Sequence, residues 1–210
     1  VVSEDDARRA VAAELRALAE LLATRDVAAA RLGDLARRLE VLRSELASEP
    51  PRARWYEADP TDRVASRTYH DAFGPLRGEA SVVAPPLRFD TASRGSEGIV
   101  TASARCGILH EGPPGLVHGG IVAACFDEVL AVSMRDAGIH AFTTELTVGY
   151  RGGVPIDADL EFRAWIVSDD GRVARGRAEC RVVTNRRGRE DPEVRAEAEA
   201  TFTRARRVGS

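Results

Sequence analysis

A chain of 210 residues with a formal net charge of −3 has room for one well-buried domain plus an appendage. Both charge signs are spread along it, which gives no electrostatic reason to expect nucleic acid as a partner. The sequence contains no lysine, and this excludes Schiff-base chemistry, pyridoxal phosphate catalysis and P-loop phosphate transfer.

The chain opens on Ser3-Glu4-Asp5-Asp6 rather than on a basic and then apolar leader, and no apolar run approaches the roughly 20 residues of a membrane span. A cytoplasmic protein is expected. Residues 4–48 read as helix. Leu15, Leu18 and Leu22 fall at spacings of three and four, and after a break at Thr24-Arg25-Asp26 the pattern resumes with Leu32, Leu35, Leu39, Leu42 and Leu46. Residues 1–49 are therefore expected to form a helical extension, a hairpin of two helices with Asp26 as N-cap of the second. Its leucine stripe is expected to serve packing, including contact with another subunit. Glu49-Pro50-Pro51 ends this region, and residues 50–86 read as an irregular lead-in.

From residue 87 to 207 the pattern becomes that of a second, larger domain. Val100, Ala102, Ala104 and Cys106 alternate with polar residues, as do Leu160, Phe162, Ala164 and Ile166, and later Val194, Ala196, Ala198, Ala200 and Phe202. Each run has the period of a strand with one buried face. Asp169-Asp170-Gly171 and the stretch from Arg187 to Pro192 read as turns between hairpin strands. The buried faces of the last strands are small (Gly176, Ala178, Cys180), which leaves room for a helix to lie across them. One good helix interrupts the strands, from His118 to about Arg135, and it is apolar over more than one stripe. The predicted order is strands, one enclosed helix, then four strands linked by hairpins: an α+β fold. Cys106, Cys125 and Cys180 are odd in number and far apart, with no metal-ligand spacing, and are expected to be small buried residues. No metal or other cofactor is implied.

The run from His110 to Gly120, His-Glu-Gly-Pro-Pro-Gly-Leu-Val-His-Gly-Gly, feeds directly into that helix. A glycine turn at a helix start presents unpaired N–H groups and the positive end of the helix dipole, which suits a phosphate or a polarised carbonyl oxygen. Glycine at 119 and 120 lets a substrate approach the backbone. Asp127 and Glu128 then stand among Phe126, Val129 and Leu130, and their side chains point about 100° apart, so one is expected to be less exposed than the other. A carboxylate there could activate water or attack an acyl carbon.

The run GPPGLVHGG, an aspartate nine residues after its histidine, and the following FTTELTVGYRGGVP resemble the hotdog-fold acyl-CoA thioesterases. The likeness is to the mitochondrial long-chain branch and its bacterial relatives, including the phenylacetate-pathway branch, and covers residues 85–205. It implies an antiparallel sheet wrapped around one long central helix. It also implies hydrolysis of an acyl-CoA or acyl-carrier-protein thioester, with no cofactor. By the resemblance the Gly119 amide donates to the thioester carbonyl, and Asp127 is base or nucleophile. Thr143 orients the water or holds Asp127, with Thr144 as the alternative. His118 orders the glycine turn, Gly120 lies against the substrate, and Arg151 reaches the coenzyme A phosphates. Each site is shared between subunits of a homodimer or a dimer of dimers. Some relatives carry Asn or Gln six residues before the histidine, where this chain has Gly112. The alternative function is a hotdog protein that binds acyl-CoA without cleaving it. A hydratase is disfavoured because His70, His110 and His140 form no evident acid–histidine constellation.

Overall fold

A computed structural model describes residues 3–51, 74, 76–85, 87–90, 98–184, 188 and 190–204. The chain divides into two compact units, Val1–Gly74 with Gly78–Val82, and Pro75–Arg77 with Val83–Ser210. Much of the expected lead-in, and His70 with it, falls outside the described residues.

The first unit carries two helices, α1 (Glu4–Thr24) and α2 (Ala29–Ala47). Ser3 caps α1 by accepting the Asp6 N–H, and three acidic residues complement the dipole in its first turn. The Arg16 guanidinium, which donates to the carbonyls of Glu79 and Ser81, ties α1 to the segment 78–82. One expectation needs correction: Asp26 does not cap α2; the helix starts later, with Ala28 at the N-cap and no side-chain bond. Of the leucine stripe, Leu18, Leu35 and Leu39 are half-buried, while Leu15, Leu22, Leu32, Leu42 and Leu46 remain exposed.

The second unit is one sheet of six antiparallel strands: β1 (Arg88–Phe89), β2 (Ile99–Ala104), β3 (Phe142–Tyr150), β4 (Asp159–Asp169), β5 (Val173–Thr184) and β6 (Glu190–Thr203). Their order across the sheet is β1-β2-β4-β5-β6-β3. Helix α3 (Gly119–Asp136) lies on one face and touches every strand from β2 to β6. Its Val122, Cys125, Phe126, Val129 and Leu130 are fully enclosed, and the Phe126 ring meets Phe162 of β4 edge-on at 5.5 Å. The small residues of β5 and β6 are what let the helix sit so close. A Cβ on Gly176 would come within 2.9 Å of Leu130 Cδ2 and 3.2 Å of the Phe202 ring.

Hairpins join β4 to β5 and β5 to β6, as the alternation predicted, but not β3 to β4. Strand β3 pairs with β6 and ends at one sheet edge, while β4 pairs with β2 and β5. The connection after Tyr150 crosses instead to the loop before α3, where Val117 N–H donates to Val154 O and Ile156 N–H to Gly115 O. The tight seat of Gly153 against Leu116, whose side chain a Cβ would meet at 2.8 Å, explains a glycine there.

The three cysteines lie in this core. Burial pushes the Cys106 thiol up to about 11 and the Cys180 thiol up to about 12. The Cys125 thiol is raised well above its usual range, by burial first and then by Cys106, Cys180 and Glu128. Native protein is therefore expected not to react with a thiol reagent at mildly alkaline pH, and all three thiols should titrate after unfolding. Rapid labelling of the native protein would contradict this packing.

Candidate active site

The start of α3 rests on a rigid loop. Glu111 bridges to Val117, Gly112 N–H donates to Leu116 O at 2.9 Å, and the Gly115 N–H, at φ 76°, donates to the Glu111 carboxylate at 2.5 Å. His118 N–H donates to His110 O at 2.8 Å, which ties the end of this loop to the short 3-10 turn Ile108–His110.

His118 is the N-cap of α3. Its Nδ1 accepts the Gly120 N–H at 3.0 Å, in place of the Ser, Thr or Asp oxygen that commonly serves. The Gly120 amide is thereby engaged within the protein. The Gly119 N–H, at the first helical position, has no acceptor among the described residues. The glycine turn thus presents one free, directed donor at the positive end of the helix.

The next peptide is held from outside. Tyr150, the last residue of β3, donates its hydroxyl to Gly119 O at 2.7 Å. Sequence reading did not single out Tyr150. The only signal was a hydroxyl-bearing aromatic at a strand end, and its contact depends on sheet order.

Two turns along the helix, the neighbouring carboxylates separate as their angular offset requires. Glu128 is committed to ion pairs with Arg77 at 3.1 Å and Arg135 at 3.7 Å. Half-buried Asp127 instead accepts a hydrogen bond from the Thr143 hydroxyl at 3.1 Å on its Oδ1. Thr143 faces the helix because β3 is bulged there: Thr143 pairs with Phe202 and Glu145 with Thr201, leaving Thr144 as the extra residue. The Thr144 hydroxyl accordingly bonds to Thr201 O and the Thr203 hydroxyl, away from Asp127.

Gly112 stands where relatives with an amide side chain would need one, and a Cβ there would meet His118 Cα at 2.8 Å and its ring at 3.1 Å. The loop and a side chain at 112 compete for the same space. Arg151, mostly exposed, is paired with Glu197 at 2.8 Å. His110 and His140 do not join the Asp127 cluster. Among the described residues no cluster could hold a metal ion, and no helix is long and apolar enough to cross a membrane.

A family model described as the thioesterase superfamily matches residues 114–188, the stretch from the glycine turn through β5. Acyl-coenzyme A thioesterase THEM5 of Homo sapiens is 40% identical over 48 residues, which is 23% of this chain and 19% of the human protein. The chain thus spans about a fifth of that relative's length. Among solved structures, a thioesterase superfamily protein superposes with a TM-score of 0.76 at 24% identity, covering 93% of this chain and 94% of the other. Zebrafish thioesterase superfamily member 2 does so with a TM-score of 0.52 at 14% identity, covering 70% of this chain and all of the other. The sheet wrapped on one helix and the solved structures that share it agree: the second unit has the hotdog fold, and its central stretch, residues 114–188, is similar to the thioesterase superfamily.

Proposed function

We propose that this protein hydrolyses acyl-CoA or acyl-carrier thioesters, with the Gly119 amide as oxyanion donor and Asp127 as general base. The observation that carries this reading is the pairing of one free N–H at a helix start with one carboxylate, two turns on, that is not consumed by an ion pair. Thr143 holds one oxygen of that carboxylate and leaves the other for a water molecule. The water oxygen adds to the acyl carbon as its proton passes to Asp127. The Gly119 N–H meets the charge that develops on the carbonyl oxygen, a donor effect worth about 3 kcal/mol in other enzymes. The C–S bond then breaks, and the thiolate leaves and takes up a proton.

Within one chain these two groups cannot meet the same carbonyl. They stand eight positions apart on the helix, about 12 Å along the axis. A second copy supplies the missing half. Strand β3 offers the place, an edge strand of nine residues that exposes Phe142 by 69% and Tyr150 by 53%. The functional unit in this reading is a homodimer, or a dimer of dimers, with Gly119 and Asp127 of each site from different subunits. Substrate slides over Gly120, whose lack of a side chain leaves the approach open. Arg151 can serve a coenzyme A phosphate by exchanging its Glu197 partner.

The test is thiol release from acetyl-CoA, palmitoyl-CoA and benzoyl-CoA. Release from any of them supports hydrolysis. Tight binding without release would establish the non-catalytic acyl-CoA-binding alternative instead.

His118 acts in this reading as a cap and not as a base. Changing His118→Ala is expected to lower stability by about 1 kcal/mol. His118→Asn, which keeps an acceptor, should recover most of that and retain turnover within about tenfold of the parent, far less than the loss of a general base causes. Loss of turnover in the stable Asn variant would make His118 part of the chemistry.

A further inference from the structure

We propose that Tyr150 is a positioning residue for the thioester-carbonyl site, an inference that rests on the hydrolase reading above. Its hydroxyl holds the Gly119 carbonyl oxygen at 2.7 Å while His118 Nδ1 holds the Gly120 N–H at 3.0 Å. These are the two ends of one peptide unit. The free Gly119 N–H lies in the preceding peptide, whose carbonyl, His118 O, accepts the Ile121 N–H at 2.9 Å; clamping the following peptide as well fixes both planes that flank the Gly119 Cα, and so both its φ and its ψ.

The need for such a clamp follows from the sequence. Two consecutive glycines begin α3, glycine is the poorest helix former after proline, and helix ends fray. An unheld Gly119-Gly120 turn would let the donor swing, and an oxyanion site works only when its donors are already aimed. The capping histidine secures one edge of the peptide. At the other edge the Gly119 carbonyl takes the ordinary i+4 helical bond, and Tyr150 adds a second bond to it from the far end of β3.

The glycine at 119 also fits this role. A Cβ there would lie 3.2 Å from the Tyr150 Oη and 3.3 Å from its Cζ, closer than ordinary contact. So the missing side chain admits the tyrosine as well as any substrate. Strand β3 then supports both halves of the catalytic machinery carried by α3: Thr143 at its start holds Asp127, and Tyr150 at its end holds Gly119. Tyr150 does not itself meet the substrate oxygen, because its one proton is given to Gly119 O.

Tyr150→Phe keeps the ring and removes the hydroxyl. It is assayed on whichever of the three acyl-CoAs the parent hydrolyses fastest. The expected result is a fall in kcat of about tenfold, smaller than for loss of the donor itself, with KM within about twofold and an unchanged melting transition. The decisive comparison is a second background, Gly119→Pro, which deletes the N–H that Tyr150 is held to aim. There Tyr150→Phe should cost nothing more, whereas in Gly119→Ala, which crowds Tyr150 equally but keeps the N–H, it should still lower kcat; a merely structural contact would cost the same factor in these two backgrounds.

If the parent shows no Asp127-dependent release, the hydrolase reading fails and this inference with it. If release depends on Asp127, three results would each overturn the positioning role alone: parental kcat in Tyr150→Phe, an equal loss in both backgrounds, or a variant that does not fold.

Discussion

Asp127→Asn is expected to keep the fold and to lower thioester turnover by a factor of about 10² or more. The amide is the same size as the carboxylate and can still accept the Thr143 hydroxyl through its Oδ1, so the local packing has no reason to change. What disappears is the capacity to take a proton from water. Among the described residues the adjacent carboxylate does not replace it, since Glu128 points elsewhere on the helix and is bound by Arg77 and Arg135. The measurement is steady-state thiol release alongside a thermal melt. Near-parental release by a folded Asn variant would remove Asp127 from the chemistry.

Gly119→Pro carries the second large expected effect. Proline is favoured at the first position of a helix, where the N–H has no intrahelical partner to lose. The preceding residue, His118, already has φ −57° and ψ 131°, the extended geometry that a following proline requires. The substitution therefore deletes the free donor while leaving the helix able to form. Turnover should fall by about 10² to 10³, the range seen when one oxyanion donor is lost elsewhere. Gly119→Ala is the control. Its side chain crowds Tyr150 in the same way, at 3.2 Å from the hydroxyl, but it keeps the N–H. A much smaller loss in the alanine variant assigns the effect to the amide. Equal losses would assign it to crowding.

The sequence makes the central helix legible because that signal is local. The apolar breadth of the run after His118 predicts a helix from His118 to about Arg135, and the helix runs from Gly119 to Asp136 with His118 as its cap. Strand identities are equally local, and the alternating runs fall on β2, β4 and β6. Strand partners are not. Nothing in the alternation of residues 142–150 says that β3 pairs with β6 rather than β4, because that choice is made by the crossing segment 151–158 and its bonds to the loop before α3.

The candidate site divides along the same line. That Asp127 and Glu128 must part follows from helix geometry, but which of them is tied up depends on Arg77, fifty-one residues away in sequence. The choice between Thr143 and Thr144 rests on a bulge, which adds one residue to a strand without any marker in its composition. Tyr150 and Gly119 are 31 residues apart and meet only because β3 runs back alongside α3. The absence of a side chain at Gly112 was visible in sequence; its reason, the closeness of His118, was not.

The site assembled from two subunits is tested most directly by mixing the two disabled chains. Coexpressed Asp127→Asn and Gly119→Pro subunits pair at random, and each mixed dimer then holds one site with an intact Gly119 amide and an intact Asp127. The account predicts that the mixture recovers about a quarter of parental thiol release, although each variant alone is nearly inactive. A mixture no more active than its two components would contradict a site shared between subunits.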